Sequence, residues 1–402
     1  MRSVDEHLEH ILSLTPEPSS VLVPVAEALG AVLAADVCAA VNVPVFTNSA
    51  MDGYAVRFAD VQHATPENPV SLTVTADLPA GTSQHPVIER GQAARIMTGA
   101  PFPRGADTVV PVEETDAGES LVNIMGVKNE GAHIRMSGED IRAGEVLVSA
   151  GTRLGALELS AIASVGVSEV RVSVRPRVSV MSTGSELVEP GGRLEFGQIP
   201  ESNSVLIATL AKEAGAEVVF RGTVNDEVEN LLDSVDSLPE ADVLILSGGV
   251  GAGAYDVVKT AFGLHGDIEF MTVAMQPGKP QGFGQLADGT LVFCLPGNPV
   301  SAAVSFETFV RPALNKMSGA AEPAPQWAIA GADWRSKPGR LLTIPAVLES
   351  TTEGKLIAHP ANVAPGMGSH RSATLAKVQA WVVIPPETDA VSIGDIVQIR
   401  RR

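Results

Sequence analysis

Cysteine is almost missing from this chain: Cys38 and Cys294 are the only two among 402 residues. Two thiols so far apart give neither a disulfide framework nor a zinc knuckle. Aromatic side chains make up 4% of the composition, too few for a platform on which bases stack. Positive charge is scarce as well, with 28 Lys and Arg against 47 Asp and Glu and a formal net charge of −19. That balance argues against nucleic acid or an anionic membrane as partner, so an anionic ligand needs a local basic exception. No apolar run approaches the ~18 residues that a membrane span requires. The opening MRSVDEHLEHILSL is amphipathic and acidic, unlike a signal peptide. The expectation is a cytoplasmic protein.

What is present is apolar substance and a change of texture along the chain. Hydrophobic residues make up 45%, enough for sizeable cores and two to four domains. Val4, Leu8, Ile11 and Leu12 recur at helical spacing behind Ser3, which predicts an opening helix. A second helix is expected over 25–34. From 44 to 144, short alternating strands such as SLTVTADL are broken by Gly and Pro and read as a β-rich lobe. A helix over 156–165 and the strand SEVRVSV follow, and Arg175-Pro176 reads as a joint.

Over 177–319 strands and helices alternate. The expected strands are RVSVMS, AEVVFRG, DVLILSG, IEFMTVAM and TLVFCLP, with helices starting near Ser204, Glu227, Asp256 and Asn298. This pattern implies right-handed crossovers, a mostly parallel sheet and a ligand at the carboxyl ends of its strands. SGAAEPAPQ is a linker, and the tail over 327–402 reads as a small β domain. The fold class is α/β plus β, multidomain.

Polar segments gather just past those strand ends. STGSEL offers Ser182, Thr183 and Glu186. Asn225-Asp226 leads into a helix, where Asp226 is either a cap or a ligand. After VLILS, Gly248, Gly249, Gly251 and Gly253 let the backbone approach a ligand, and Asp256 follows. A carboxylate beside a phosphate repels it unless a divalent cation lies between, so this loop suggests a metal-bridged phosphate site. QPGKPQGFG presents Lys279 in a loop stiffened by Pro277 and Pro280, and LPGNPVSAA sets Pro296, Asn298 and Pro299 at a helix start. In the lobe, NSAMDGYAV carries Asp52, RIMTGAPFP carries Thr98, and HIRMSGEDI carries Arg135, Glu139 and Asp140.

Together these motifs resemble the molybdopterin molybdenumtransferase family, which includes the E domain of gephyrin. The resemblance is strongest in NSAMDGYAV, RIMTGAP, GEDI, STGSEL, SGGV with YD, PGKP and LPGNPVSA. It implies an elongated homodimer. Residues 1–24 and 177–319 would form the molybdopterin-binding α/β domain, 25–43 and 145–176 a linking domain, 44–144 the β-rich lobe and 327–402 the C-terminal β domain. The implied reaction inserts molybdenum from molybdate into adenylylated molybdopterin, with Mg²⁺-dependent cleavage that releases AMP.

In that scheme Glu186, Asp226 and Asp256 hold Mg²⁺ against the pyrophosphate. Gly248, Gly249 and the helix start at Asn298 receive pterin or phosphate. Asp52, Thr98, Arg135 and Asp140 line the cleft from the partner subunit. Arg135, Lys259, Lys279, Ser369 and Arg371 are candidate contacts for the molybdate dianion. Other proteins of cofactor biosynthesis are candidate partners.

There are two departures from the family pattern, one being the glycine loop GAGAYD, where the family often carries a polar or acidic side chain before the aspartate. Where the family usually reads KVAMKPGKP, this chain has Thr272 and Gln276 in place of two lysines. Each lost charge-assisted contact removes about 1.5–3 kcal/mol. A divergent paralogue acting as a molybdopterin-binding or scaffold protein is therefore the alternative.

Overall fold

The computed structural model describes residues 1–250, 257–263, 268–361 and 372–402. Helix Val4–Leu14 opens the chain, as its spacing predicts, with a reciprocal cap at its start. Ser3 Oγ accepts from the Glu6 N–H at 3.1 Å and the Glu6 carboxylate accepts from the Ser3 N–H at 2.8 Å. The helix buries His7 and Ile11 against the α/β unit that follows much later in sequence.

The sheet of that unit has six strands, numbered here in chain order: β1 Arg177–Thr183, β2 Glu217–Val224, β3 Val243–Ser247, β4 Ile268–Thr272, β5 Pro280–Gln285 and β6 Leu291–Leu295. Their spatial order is β2-β1-β3-β6-β5-β4. The pairs β1–β2, β1–β3 and β3–β6 are parallel, while β5 runs antiparallel to both β6 and β4. Val243 and Ile245 point to one face, where they join Val178, Val180, Leu291, Phe293 and helix residues such as Ile207 and Ala303. Leu244 and Leu246 point to the other, with Met181, Val292, Cys294, Leu231 and Val258. An unbroken apolar strand is what a sheet covered on both faces requires. Each large side chain buried there contributes roughly 1.5–3 kcal/mol.

Three expectations are corrected. PQGFGQ is a strand, not a loop: Gly282 lets β5 pass against its neighbours, since a Cβ there would lie 2.7 Å from the Phe270 ring and 2.9 Å from Cys294 Cβ. The segment expected as one strand, IEFMTVAM, stops at Thr272, and Met275–Gln276 instead pairs in parallel with Leu341 and Leu342 of the tail. The helix expected over 25–34 is also absent. Only a single 3₁₀ turn, Val25–Glu27, forms there, bounded by Pro24 and by Gly30 at φ +75°.

Ser20–Pro24 pairs with Glu169–Ser173, and Val37–Cys38 pairs with Val146–Val148 beside helix Ala156–Ser164. Arg153 ties this small unit to the α/β unit by donating to the carbonyls of Gly30 and Ala214. The lobe is a five-stranded sheet around Tyr54, Leu72, Val110 and Ile124. In the tail, Leu341–Ser350 pairs with both Leu356–Pro360 and Ala380–Ile384, and Gln326–Ala330 and Ile396–Arg401 complete the circuit, so the sheet closes into a barrel. Among the described residues no helix is long and apolar enough to cross a membrane.

Candidate functional site

Four loops meet where β1, β2, β3 and β6 end, because parallel strands deliver their carboxyl ends to one edge. After β1, the turn at 184–186 is fastened to the β2 loop from both sides. Asp226 Oδ2 accepts from the Ser185 N–H at 2.9 Å, and Ser185 Oγ accepts from the Asp226 N–H at 3.2 Å. Asp226 is therefore not the helix cap; Glu227 occupies that position before Val228–Asp236. Glu186 follows Ser185 directly, and both it and Asp226 are exposed.

After β3, Gly248 and Gly249 turn with φ of +105° and +62°. A Cβ on Gly248 would lie 2.6 Å from the Thr183 carbonyl oxygen, so only glycine lets this turn rest on the end of β1. The Gly248 N–H donates to the Leu295 carbonyl at 3.1 Å, which ties the turn to β6. Beyond Pro296 and Gly297, Asn298 is the N-cap residue of helix Pro299–Ser305, with Pro299 at its first turn. Lys259 is exposed on helix Val257–Gly263 and Lys279 is half-buried in the loop before β5.

Buried polar residues overlooked in the sequence hold these loops together. Glu201, only 1% exposed, accepts from Ser182 Oγ at 2.8 Å, from the Ser204 N–H at 2.7 Å and from Ser204 Oγ at 2.6 Å. The Ser182 hydroxyl is thus turned inward to Glu201. Asn203 donates from Nδ2 to Ser247 Oγ at 3.0 Å and to the Gly297 carbonyl at 2.7 Å. Among the described residues, Asn203 Oδ1 and Thr183 Oγ1 are buried without a hydrogen-bond partner. Such atoms at a strand edge are the capacity a polar ligand would use. Gln281 on β5 donates to the Gly278 carbonyl at 2.6 Å and to Ser305 Oγ at 2.7 Å, which fixes the loop that carries Lys279. The signal for the first group was ESNS, four polar residues after Ile199-Pro200 that run into the first turn of helix Asn203–Glu213.

The lobe brings its own motifs together. Asp52 Oδ1 accepts from the Thr98 N–H at 2.7 Å and from Thr98 Oγ1 at 2.8 Å. These two donors, the backbone one first, hold the Asp52 carboxyl below its usual range. Asn48–Ser49 pairs with Ile134–Arg135, so Arg135 sits beside the buried Asn48, whose Oδ1 also lacks a partner among the described residues. Gly53 lies so close to the next strand that a Cβ would fall 2.0 Å from the Val110 carbonyl oxygen. Arg135 and Asp140 are exposed, and neither makes a side-chain hydrogen bond or ion pair among the described residues. No strand pairing or backbone hydrogen bond joins the lobe to the α/β sheet among those residues.

Asp256, Ser369 and Arg371, with Gly251 and Gly253, lie outside the described residues. Within the described residues no three His, Cys, Asp or Glu side chains gather closely enough to hold a metal ion. Glu186 and the linked Asp226 present hard carboxylate oxygens from adjacent loops, a donor chemistry that fits Mg²⁺.

Comparison with known proteins accounts for the whole chain in order. Residues 2–166 match the family model described as MoeA N-terminal region (domain I and II). Residues 179–316 match the probable molybdopterin binding domain, and 328–400 the MoeA C-terminal region (domain IV). The chain is 43% identical over 411 residues to molybdopterin molybdenumtransferase 2 of Mycobacterium tuberculosis, covering 99% of each. It is 33% identical over 406 residues to the molybdopterin molybdenumtransferase of Haemophilus influenzae, covering 99% of this chain and 98% of that one. The molybdopterin biosynthesis moeA protein of Pyrococcus horikoshii OT3 superposes with a TM-score of 0.83 at 29% identity, covering 100% of both chains. The chain belongs to the MoeA family of molybdopterin molybdenumtransferases.

Proposed function

We propose that this chain inserts molybdenum from molybdate into adenylylated molybdopterin, with release of AMP, at the strand edge described above. The observation that carries this reading is the meeting of the Ser185–Asp226 link, the Gly248–Gly249 turn and the Asn298 helix start at one edge, above the unpartnered Thr183 Oγ1 and Asn203 Oδ1. Backbone N–H groups of the glycine turn and the helix start bind and orient pterin or phosphate. Lys259 and Lys279 supply cations to an otherwise acidic protein and, with Arg135, Ser369 and Arg371, are proposed to receive the molybdate oxygens. Glu186 and Asp226, with Asp256, would hold Mg²⁺, which when bound supplies charge neutralisation at the pyrophosphate. Asp52, Thr98, Arg135 and Asp140 are proposed to reach the same cleft from a second copy, because one chain keeps the lobe and the sheet edge unjoined. The active form is then a cytoplasmic homodimer.

A second reading, a molybdopterin-binding or scaffold protein, is favoured by Thr272 at the end of β4 and Gln276 in the short strand that leads to Lys279. One experiment separates the two. Purified protein with adenylylated molybdopterin, molybdate and Mg²⁺ releases AMP if it is the transferase. A silent wild type beside an active Thr272→Lys/Gln276→Lys variant overturns that reading in favour of the binder.

A further inference from the structure

We infer that Glu201 is a positioning residue for the proposed reaction, acting through the β1 loop that carries Ser185 and Glu186. The inference rests on the transferase reading above but concerns a residue that this reading does not use.

Glu201 is sealed from water, and among the described residues Ser182 is the one proposed ligand residue that its side chain hydrogen-bonds. Its two carboxylate oxygens face three donors from Ser182 and Ser204. The charge is matched from one side by Arg221, whose Nη1 lies 3.9 Å from Glu201 Oε2 and donates to Ser204 Oγ at 2.9 Å. A buried carboxylate with every partner supplied adds little net stability over an apolar replacement, but it admits only one arrangement of those partners. What it arranges here is the reach of chain from Ser182 to Asn203.

The Glu201 N–H donates to the Val188 carbonyl at 2.8 Å, and the Ile199 N–H donates to the Glu186 carbonyl at 2.9 Å. The backbone at Glu186 and just after it is therefore held by the segment that ends in Glu201. Two residues on, Asn203 grips Ser247 and Gly297, so the same short segment, 201–204, sets β1, β3 and the loop after β6 relative to one another. Arg221 extends the grip to β2. Four strand ends thus share a single polar clasp. A reaction centre assembled from separate loops needs such a support, since a misplacement of about 1 Å costs on the order of 100-fold in rate.

The test is a double-mutant cycle on AMP release at saturating molybdate and Mg²⁺, with rates scaled to folded protein. Glu201→Gln keeps the side-chain shape but places an amide before the Ser204 donors. It should lower kcat about 30-fold and leave KM for adenylylated molybdopterin within about threefold. Because Glu201 acts through the loop carrying Glu186, adding Glu201→Gln to Glu186→Gln should cost no more than about twofold beyond the single Glu186→Gln. A support of the fold alone would give losses that multiply, and that result overturns the inference, as does a Glu201→Gln enzyme within threefold of wild type. If Glu201→Gln does not fold, Ser182→Ala removes one partner of the same carboxylate. It should show a smaller loss of about three- to tenfold with the same non-additivity, and full activity there overturns the inference. A wild-type protein that releases no AMP overturns the transferase reading itself and this inference with it.

Discussion

His7 is a residue whose cost is paid in one protonation state only. Its ring is buried edge-on to Phe283 and Phe309, at centroid distances of 6.3 and 4.7 Å, and Nδ1 has no partner among the described residues. Burial first, and the nearby Arg2 charge second, push its pKa down to about 4 from an ordinary 6.5. The unfolded chain therefore binds a proton that the folded chain refuses. Stability conferred by the neutral ring is present above pH 6.5 and is lost progressively as pH falls toward 4. The loss amounts to roughly 3 kcal/mol at the acid end. His7→Phe should remove that slope, so that urea midpoints of wild type and variant converge at neutral pH and separate in the variant's favour near pH 4. Parallel curves across this window would refute the assignment. Glu201 is a second polar side chain that the fold buries, and its own three donors satisfy it where His7 Nδ1 is left alone among the described residues.

At the scale of single elements, β5 shows why part of the site was illegible. The sequence PQGFGQ carries a proline and two glycines, which in isolation signal a loop. In the folded chain Pro280 opens the strand, and Gly282 is the residue that fits between Phe270 and Cys294. Tertiary crowding overrode local propensity. The reverse happened over 25–34, where apolar residues at helical spacing form a single turn because Pro24 and Gly30 bracket them. By contrast, β3 was legible because burial on both faces writes an unbroken apolar run, and β1 because Val178, Val180 and Met181 form a short β-branched and apolar stretch between turn signals. The polar loops after them were legible because parallel strands fix where their ends must lie. What could not be read was which loops touch: the Ser185–Asp226 link spans 41 residues.

Gln281 follows from the same strand. Replacing it by Leu keeps the bulk but leaves the Gly278 carbonyl and the Ser305 hydroxyl without their donor, a loss of about 1–3 kcal/mol. The loop carrying Lys279 then loses its anchor. Gln281→Leu should raise KM for molybdate several-fold while kcat and the pterin KM stay near wild type. Equal losses in all three would mean that the side chain serves the core and not the loop.

At the scale of the whole molecule, the separation of lobe and sheet edge decides how many chains make one site. Asp52 and Thr98 are locked to each other in the lobe, and Asp226 is locked to Ser185 at the sheet. If both groups serve one cleft across a two-fold axis, a dimer holds two equivalent clefts, each built from the lobe of one protomer and the sheet of its partner. Asp52→Ala then spoils the lobe side and Asp226→Ala the sheet side, and each homodimer is inactive. A mixed dimer keeps one cleft free of both substitutions, because the intact lobe of one protomer faces the intact sheet of the other. With random pairing, half of the dimers are mixed and each has one working cleft of two, so co-expressed variants carrying different tags should recover about one quarter of wild-type AMP release. Doubly tagged dimers isolated from that mixture should reach about one half. Clefts confined to single chains could recover nothing, since every chain would carry a lesion in its own site, and an inactive mixture of well-folded mixed dimers would return both groups of residues to separate roles.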